Sequence, residues 1–435
     1  MTSQAGNRLL QLSVITALTV GLWFLITQPD SPSLTTEPPE LFLRSGGEGT
    51  TMAANERAFS LSNRAMGLPE RIRFAAGDLP FEHIWGIEDG LGDPRNGNSC
   101  LGCHINNGRS VPPDGLVNAS GPTLMVSLGL DDSGAMIPHP EIGLQLQDQG
   151  DFKEGSLTVT WEEIPGTMDD GTSFSLRKPI IQVDSLDLDT VFTSLRIAPP
   201  VFGGGLLETI PASDIALGAD PNDLDADGIS GRVAELDHSG EQIGRFGWKA
   251  QEPTILSFTE NAFTEDLSLD YQLAAELFGS TFLEDTAFYT STVAVPALRG
   301  HDDPDIQRGA AWFEQIGCSG CHRTEPWVTG PHEVTSLAHQ VIVPFTDLLL
   351  HDMGSELDDG LAQHGAESSE WRTAPLWGIG LTGTVSHEHY LHDGRARTLE
   401  EAILWHGGES ESARDAYVSL SSSDRALILG FLEAL

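Results

Sequence analysis

Hydrophobic positions recur with helical spacing in three stretches of the second half of the chain. Across Asp305 to Ile316, the residues Ile306, Gly309, Ala310 and Phe313 share one face, which predicts a helix leading into Cys318. Leu399, Ala402, Ile403 and His406 fall at i, i+3, i+4 and i+7. Thr398 to Glu401 reads as a capping box in front of them, and Gly407-Gly408 as the stop behind. His406 therefore points inward from the end of a short helix. Asp424 to Leu435 places Ile428, Phe431, Leu432 and Leu435 on one apolar stripe and predicts a further amphipathic helix.

The period changes upstream. Ser156 to Trp161 alternates polar with apolar, and Lys178 to Val183 is rich in β-branched residues, with Gly166 and Gly171 between them. Together they predict a β-hairpin inserted among helices and loops. Met52 to Arg64 fits a short helix or an extended loop equally well. The fold class expected is mainly α, in two domains, the first carrying the hairpin and a loop-rich insertion.

The longest apolar run stands apart from these patterns. Leu9 to Thr27 contains only Gln11 as a strongly polar residue, and Arg8 precedes it. Such a run is a secretory signal or a membrane anchor; its length, and the lack of a small-x-small pattern after it, favour an anchor formed by residues 9–27. Either way the body of the protein is expected outside the cytoplasm, in the periplasm. From Ser31 to about Pro39 the chain is a Pro/Ser/Thr-rich tether, and order is expected from near Leu41. The division expected is 1–30 for the signal or anchor, 31–43 for the linker, 44–290 for the first, N-terminal domain and 291–435 for the second. Charge narrows the partners: Lys+Arg 23 against Asp+Glu 64 leaves a net charge of -41, which disfavours nucleic acid and anionic membrane surfaces. A small basic redox protein suits such a surface.

The chemistry lies in Cys100-Leu-Gly-Cys103-His104 and in its echo, Cys318-Ser-Gly-Cys321-His322. C-x-x-C-H is the attachment sequence of c-type haem: two thiols bond the porphyrin and the adjacent histidine ligates the iron. The two copies use all four cysteines, so two covalent haems are expected, one in each of two cytochrome c-like haem domains, 44–290 and 291–435, and no thiol remains for a disulfide. A thioredoxin-like pair would not need the histidine that both copies carry.

Several other residues have candidate roles. His83, Met125 and His139 are possible sixth ligands of the first iron by type, or that position is open, as binding of a peroxide requires. For the second iron, His406 and Met353 compete. Gly203 to Gly205 let the backbone pass close to a flat ligand and deliver Glu208 at the end of an apolar run. Glu208 is thus the candidate to move a proton between peroxide oxygens, unless it serves only the first turn of a helix. Asp223, Asp225 and Asp227, followed by Gly228, match the opening half of an EF-hand calcium loop; the twelfth position is Ala234, with Glu235 one place late. Calcium or an unfilled Asp-rich turn are the two readings. Trp248, in a glycine setting, is a core residue or an electron conduit between haems.

The chain resembles the di-haem oxidoreductases sometimes called thiol oxidoreductases, which are relatives of the bacterial di-haem cytochrome c peroxidases. The resemblance rests on Ser45 to Gly47, Gly90 to Gly92, Cys100 to Arg109, Gly205 to Glu208, Asp220 to Arg232, Gly244 to Ala250, His351 to Gly354, Trp371 to Gly378, and His392 to Gly408. It implies a reactive iron at His104 and an electron-transfer haem at His322. In the bacterial peroxidases the residue fourteen places after the histidine of His-Asp-Gly is the sixth ligand of the electron-transfer haem; counting from His392, that residue is His406. A counterpart of their displaceable histidine is not evident here, so a need for prior half-reduction does not carry over. The function expected is peroxidase-like. The alternatives are a purely electron-transferring cytochrome, or an oxidant of a protein partner, as in the related methylamine dehydrogenase maturation enzyme.

Overall fold

The computed structural model describes residues 40–117, 121–132, 134–236 and 242–435. The expected anchor, Leu9 to Thr27, and the tether to Pro39 lie outside the described residues. Among those described, no helix is long and apolar enough to cross a membrane. The first described element is the helical turn Glu40–Leu43, where Phe42 is buried against Phe345 with ring centroids 5.2 Å apart.

Thirteen α-helices and nine short strands in four antiparallel sheets make up the described chain, 33% of it helical. Two helix pairs flank the haem motifs. Leu68–Glu82, begun by Pro69 and by Glu70 accepting from the Gly67 amide at 2.9 Å, packs against Phe282–Thr292. The periodic reading did not single out Leu68–Glu82, whose outward face carries exposed Leu68, Ile72 and Leu79. The second pair is Pro304–Gln315 against Ser422–Ala434, both at the positions expected. Each crossing is close because a glycine stands at the contact. A Cβ on Gly77 would lie 1.8 Å from the Asp285 carbonyl oxygen, and one on Gly309 2.1 Å from that of Leu427. Leu399–Leu404 forms with Thr398 accepting from the Glu401 amide at 3.1 Å; the Glu401 carboxylate turns instead to the backbone and guanidinium of Arg397, so the capping box is half made. Met52 to Arg64 is a loop, bridged to the chain through Thr51–Pro296 and Ser62–Val293.

The hairpin is longer than its alternating pattern. Leu157–Thr167 pairs with Ser173–Val183 over their full length, in the register Trp161–Pro179. Its outer half is held by the C-terminal part of the chain. Arg177 donates to the carbonyls of Gly394 and Arg395, Arg397 pairs with Glu163, and buried Arg425 reaches Asp170 at the tip. A two-stranded ribbon is marginal alone; these polar contacts add to an apolar face on which Ile164, Phe174 and buried Leu176 and Met168 pack against the main core. One contiguous core then runs from Phe42 to Leu435.

Candidate functional site

Cys100–Cys103 is a single helical turn capped by Ser99, whose hydroxyl accepts from the Gly102 amide at 3.0 Å. His104 follows, with Nδ1 2.7 Å from the Pro199 carbonyl oxygen. A ring nitrogen facing a carbonyl carries the proton, so Nε2 keeps its lone pair for another partner. Around it lies a cavity of about 180 Å³, walled by Phe81, Phe202, Leu207, Phe258 and Phe263. The second motif repeats the plan: His322 Nδ1 is 2.9 Å from the Phe345 carbonyl, beside a cavity of about 200 Å³. Each space is more than ten times the roughly 15 Å³ needed for one water. Their apolar walls suit a flat apolar group rather than a water cluster.

The four thiols suit covalent attachment better than redox cycling. Burial pushes Cys100 and Cys318 up to about 12, and raises Cys103 and Cys321 as well. A redox-active pair needs a thiolate near neutral pH. Burial also holds His104 and His322 down to about 4, so both imidazoles are neutral and able to ligate a metal.

The two cavities differ in what stands opposite the motif histidine. In the second, His406 fixes Nδ1 on the Ala402 carbonyl at 2.8 Å and presents its ring to His322, with centroids 6.5 Å apart. Two imidazoles sharing one metal, each bonded at about 2 Å, bring their ring centres to that separation. Met353, the rival, also lines this cavity, with its sulfur accepting from the Ser410 hydroxyl at 3.8 Å. In the first cavity, among the described residues, no lining residue besides His104 is a histidine or methionine. His83 pairs with Asp89 at 3.1 Å and packs on Trp85; Met125 sits in the strand Thr123–Ser127; half-buried His139 accepts backbone amides from Glu141 and Ile142. None of the three lines either cavity.

Glu208 is also turned away, contrary to its expected proton-transfer role. Its carboxylate accepts from the Ile255 amide at 2.7 Å, at the first turn of Ile255–Asn261, and the residue does not line the first cavity. The reason is local: Glu208 ends the turn Gly204–Glu208, and orphan amides of a helix N-terminus lie within its reach. The carboxylate that does line the cavity is Asp266. It ends the π-helical stretch Ala262–Asp266, a geometry frequent at functional sites, and accepts from Gln145 Nε2 at 2.6 Å. Burial raises it to about 6, against the lowering effect of Gln145. In the sequence Asp266 is one acid among three in Glu260 to Asp266, with nothing to mark it.

Trp248 stands in the wall common to both cavities, its indole N–H donating to the Ile197 carbonyl at 2.9 Å. Asp223, Asp225 and Asp227 converge, with one oxygen of each within 4.8 Å of the others, on an exposed turn whose carboxylates already accept amides of their own loop. At the wall of the second cavity His351 lies between Asp347 and Glu409, at 2.8 and 2.7 Å; Ser230, just after the Asp-rich turn, also donates to Glu409.

Two cofactor-sized apolar cavities, each bearing a C-x-x-C-H turn with the histidine's outer nitrogen free, define a protein built to hold two haems. The chain belongs to the family described as di-haem oxidoreductase, putative peroxidase, whose model matches residues 130–276 and 270–435. No curated protein and no solved structure matches the chain.

Proposed function

We propose that the chain is an exported c-type di-haem enzyme that reduces a peroxide at the His104 site, with electrons relayed through the His322/His406 site. The observation that carries this reading is the asymmetry of the cavities: two facing imidazoles in one, a single histidine in the other. A haem joined to Cys100 and Cys103 would supply an iron with a free coordination position and a means of storing electrons. The remaining work belongs to the protein. Reduction of a peroxide to two waters consumes two electrons and two protons, and the proton on one oxygen must pass to the other. Asp266, raised to about 6, holds or releases a proton near neutral pH, and Gln145 fixes the direction of its carboxylate. Phe258 and Phe263 keep bulk water from the site. Trp248 offers an aromatic bridge in the shared wall.

Export is supported by the apolar run Leu9 to Thr27 and by the site of c-type haem attachment in bacteria. The charge of -41 favours a small basic redox protein as electron donor. Calcium at Asp223, Asp225 and Asp227 would be structural. Low-temperature electron paramagnetic resonance of the oxidised protein tests the reading. One high-spin and one low-spin ferric signal, with the high-spin signal lost on adding hydrogen peroxide, is expected; two low-spin signals indifferent to peroxide would make this an electron carrier.

A further inference from the structure

Arg109 is 6% exposed, and its Nε and Nη1 have no hydrogen-bond partner. It lines both cavities. Its guanidinium lies 5.9 Å from the Trp248 ring and 5.7 Å from that of Tyr390, contacts that supply no negative charge. Arg372 shares the same wall; its Nε and Nη1 donate to the carbonyls of Gly247 and Thr373, and the nearby Asp347 carboxylate acts on it without a direct ion pair among the described residues. Close by, His389 is 1% exposed with neither ring nitrogen hydrogen-bonded. In a chain carrying 64 acidic residues against 23 basic ones, a buried cation without an acidic neighbour is a departure from what chance placement would give. Burying an unpaired charge is costly, so such a group is retained where an anion from outside the chain completes it.

We propose that Arg109, assisted by Arg372, is a shared anion clamp that receives a carboxylate from each of the two cofactors and so couples their redox states. The proposal rests on the two-haem reading above. Its chemistry is specific: a planar guanidinium offers five donors in a fixed fork that can orient two carboxylates at once through paired hydrogen bonds, whereas a lysine is a point charge without that directionality. The clamp sets orientation as well. With their acidic edges drawn to the shared wall, the cofactors face each other across Trp248, and their thioether edges stay at Cys100/Cys103 and Cys318/Cys321. A cation held between two iron centres disfavours the more positive oxidised form of each, so its removal favours oxidation of both.

Spectroelectrochemical titration of the full-length holoprotein, without peroxide, tests this. Arg109→Gln is expected to lower both midpoint potentials, each by about a tenfold change in the oxidised-to-reduced ratio, or ~59 mV for a one-electron couple. Arg109→Lys, which keeps the charge but not the fork, is expected to retain most of the potential and to show a stronger pH dependence of both midpoints. It also serves if the glutamine variant does not fold. Unchanged midpoints in a variant of full haem content overturn the clamp, and a shift of one centre alone overturns the coupling. A wild-type protein without two covalent haems would instead overturn the reading on which the proposal rests.

Discussion

Asp266→Asn separates the chemistry of the first cavity from its stability. The substitution preserves shape and the acceptor for Gln145, whose Nε2 lies 2.6 Å from Oδ1, but removes the titrating proton. Loss of a positioned acid–base group costs typically 10²–10⁴-fold in rate, so kcat/KM for hydrogen peroxide should fall by about that factor, or ~3–5 kcal/mol of barrier. Stability should move the other way. Burial raises Asp266 from 3.8 to about 6. Between those values the folded state binds a proton that the unfolded state has lost, so folding stability falls as pH rises through this window. The full loss, reached above about pH 6, is on the order of 3 kcal/mol. The asparagine variant has no such loss. Urea unfolding of both proteins at pH 4 and pH 8 should therefore show the variant gaining on the wild type by about that amount at the higher pH. Glu208→Gln is the contrast, with turnover expected unchanged because that carboxylate serves the Ile255 amide. Turnover of Asp266→Asn within about threefold of wild type, or a stability difference independent of pH, would refute the assignment.

Other consequences are equally direct. His406→Ala removes the ring facing His322 at 6.5 Å and should convert the low-spin ferric signal of the second site to high spin; an unchanged spectrum would transfer the ligand role to Met353 or elsewhere. Gly309→Ala should lower the melting temperature although alanine favours helix by ~1 kcal/mol, because its Cβ would meet the Leu427 carbonyl at 2.1 Å. Overpacking of that kind costs about 1–3 kcal/mol, and a raised melting temperature would show that the two helices part without penalty.

Much of the architecture was legible because it is written in short-range patterns. The helices Pro304–Gln315, Leu399–Leu404 and Ser422–Ala434 follow from apolar spacing and caps within a dozen residues. The inner half of the hairpin follows from alternation, but its outer half, Glu162 to Thr167 against Ser173 to Lys178, is held by Arg397 and Arg425 and by core contacts of Ile164, Phe174 and Leu176, all made with residues far along the chain. Leu68–Glu82 escaped notice because its outward face carries large apolar residues, which blurs the two-sided pattern a periodicity argument needs. The inward turn of His406 was visible from helical phase, whereas the roles given to Glu208 and to the three candidate sixth ligands came from residue type alone.

The sequence by itself determined the two attachment turns, Cys100 to His104 and Cys318 to His322, because adjacency along the chain is all that motif requires. It also determined the acidity that constrains partners, and the helix that delivers His406. Which other groups line the cavities beside those turns is settled by the folded chain alone. Asp266, Trp248, Arg109 and Arg372 come from four separate stretches and meet at the cavities through packing. Their effect depends on burial, which raises a carboxylate and leaves a guanidinium without a partner, and burial belongs to the folded chain rather than to any residue in it.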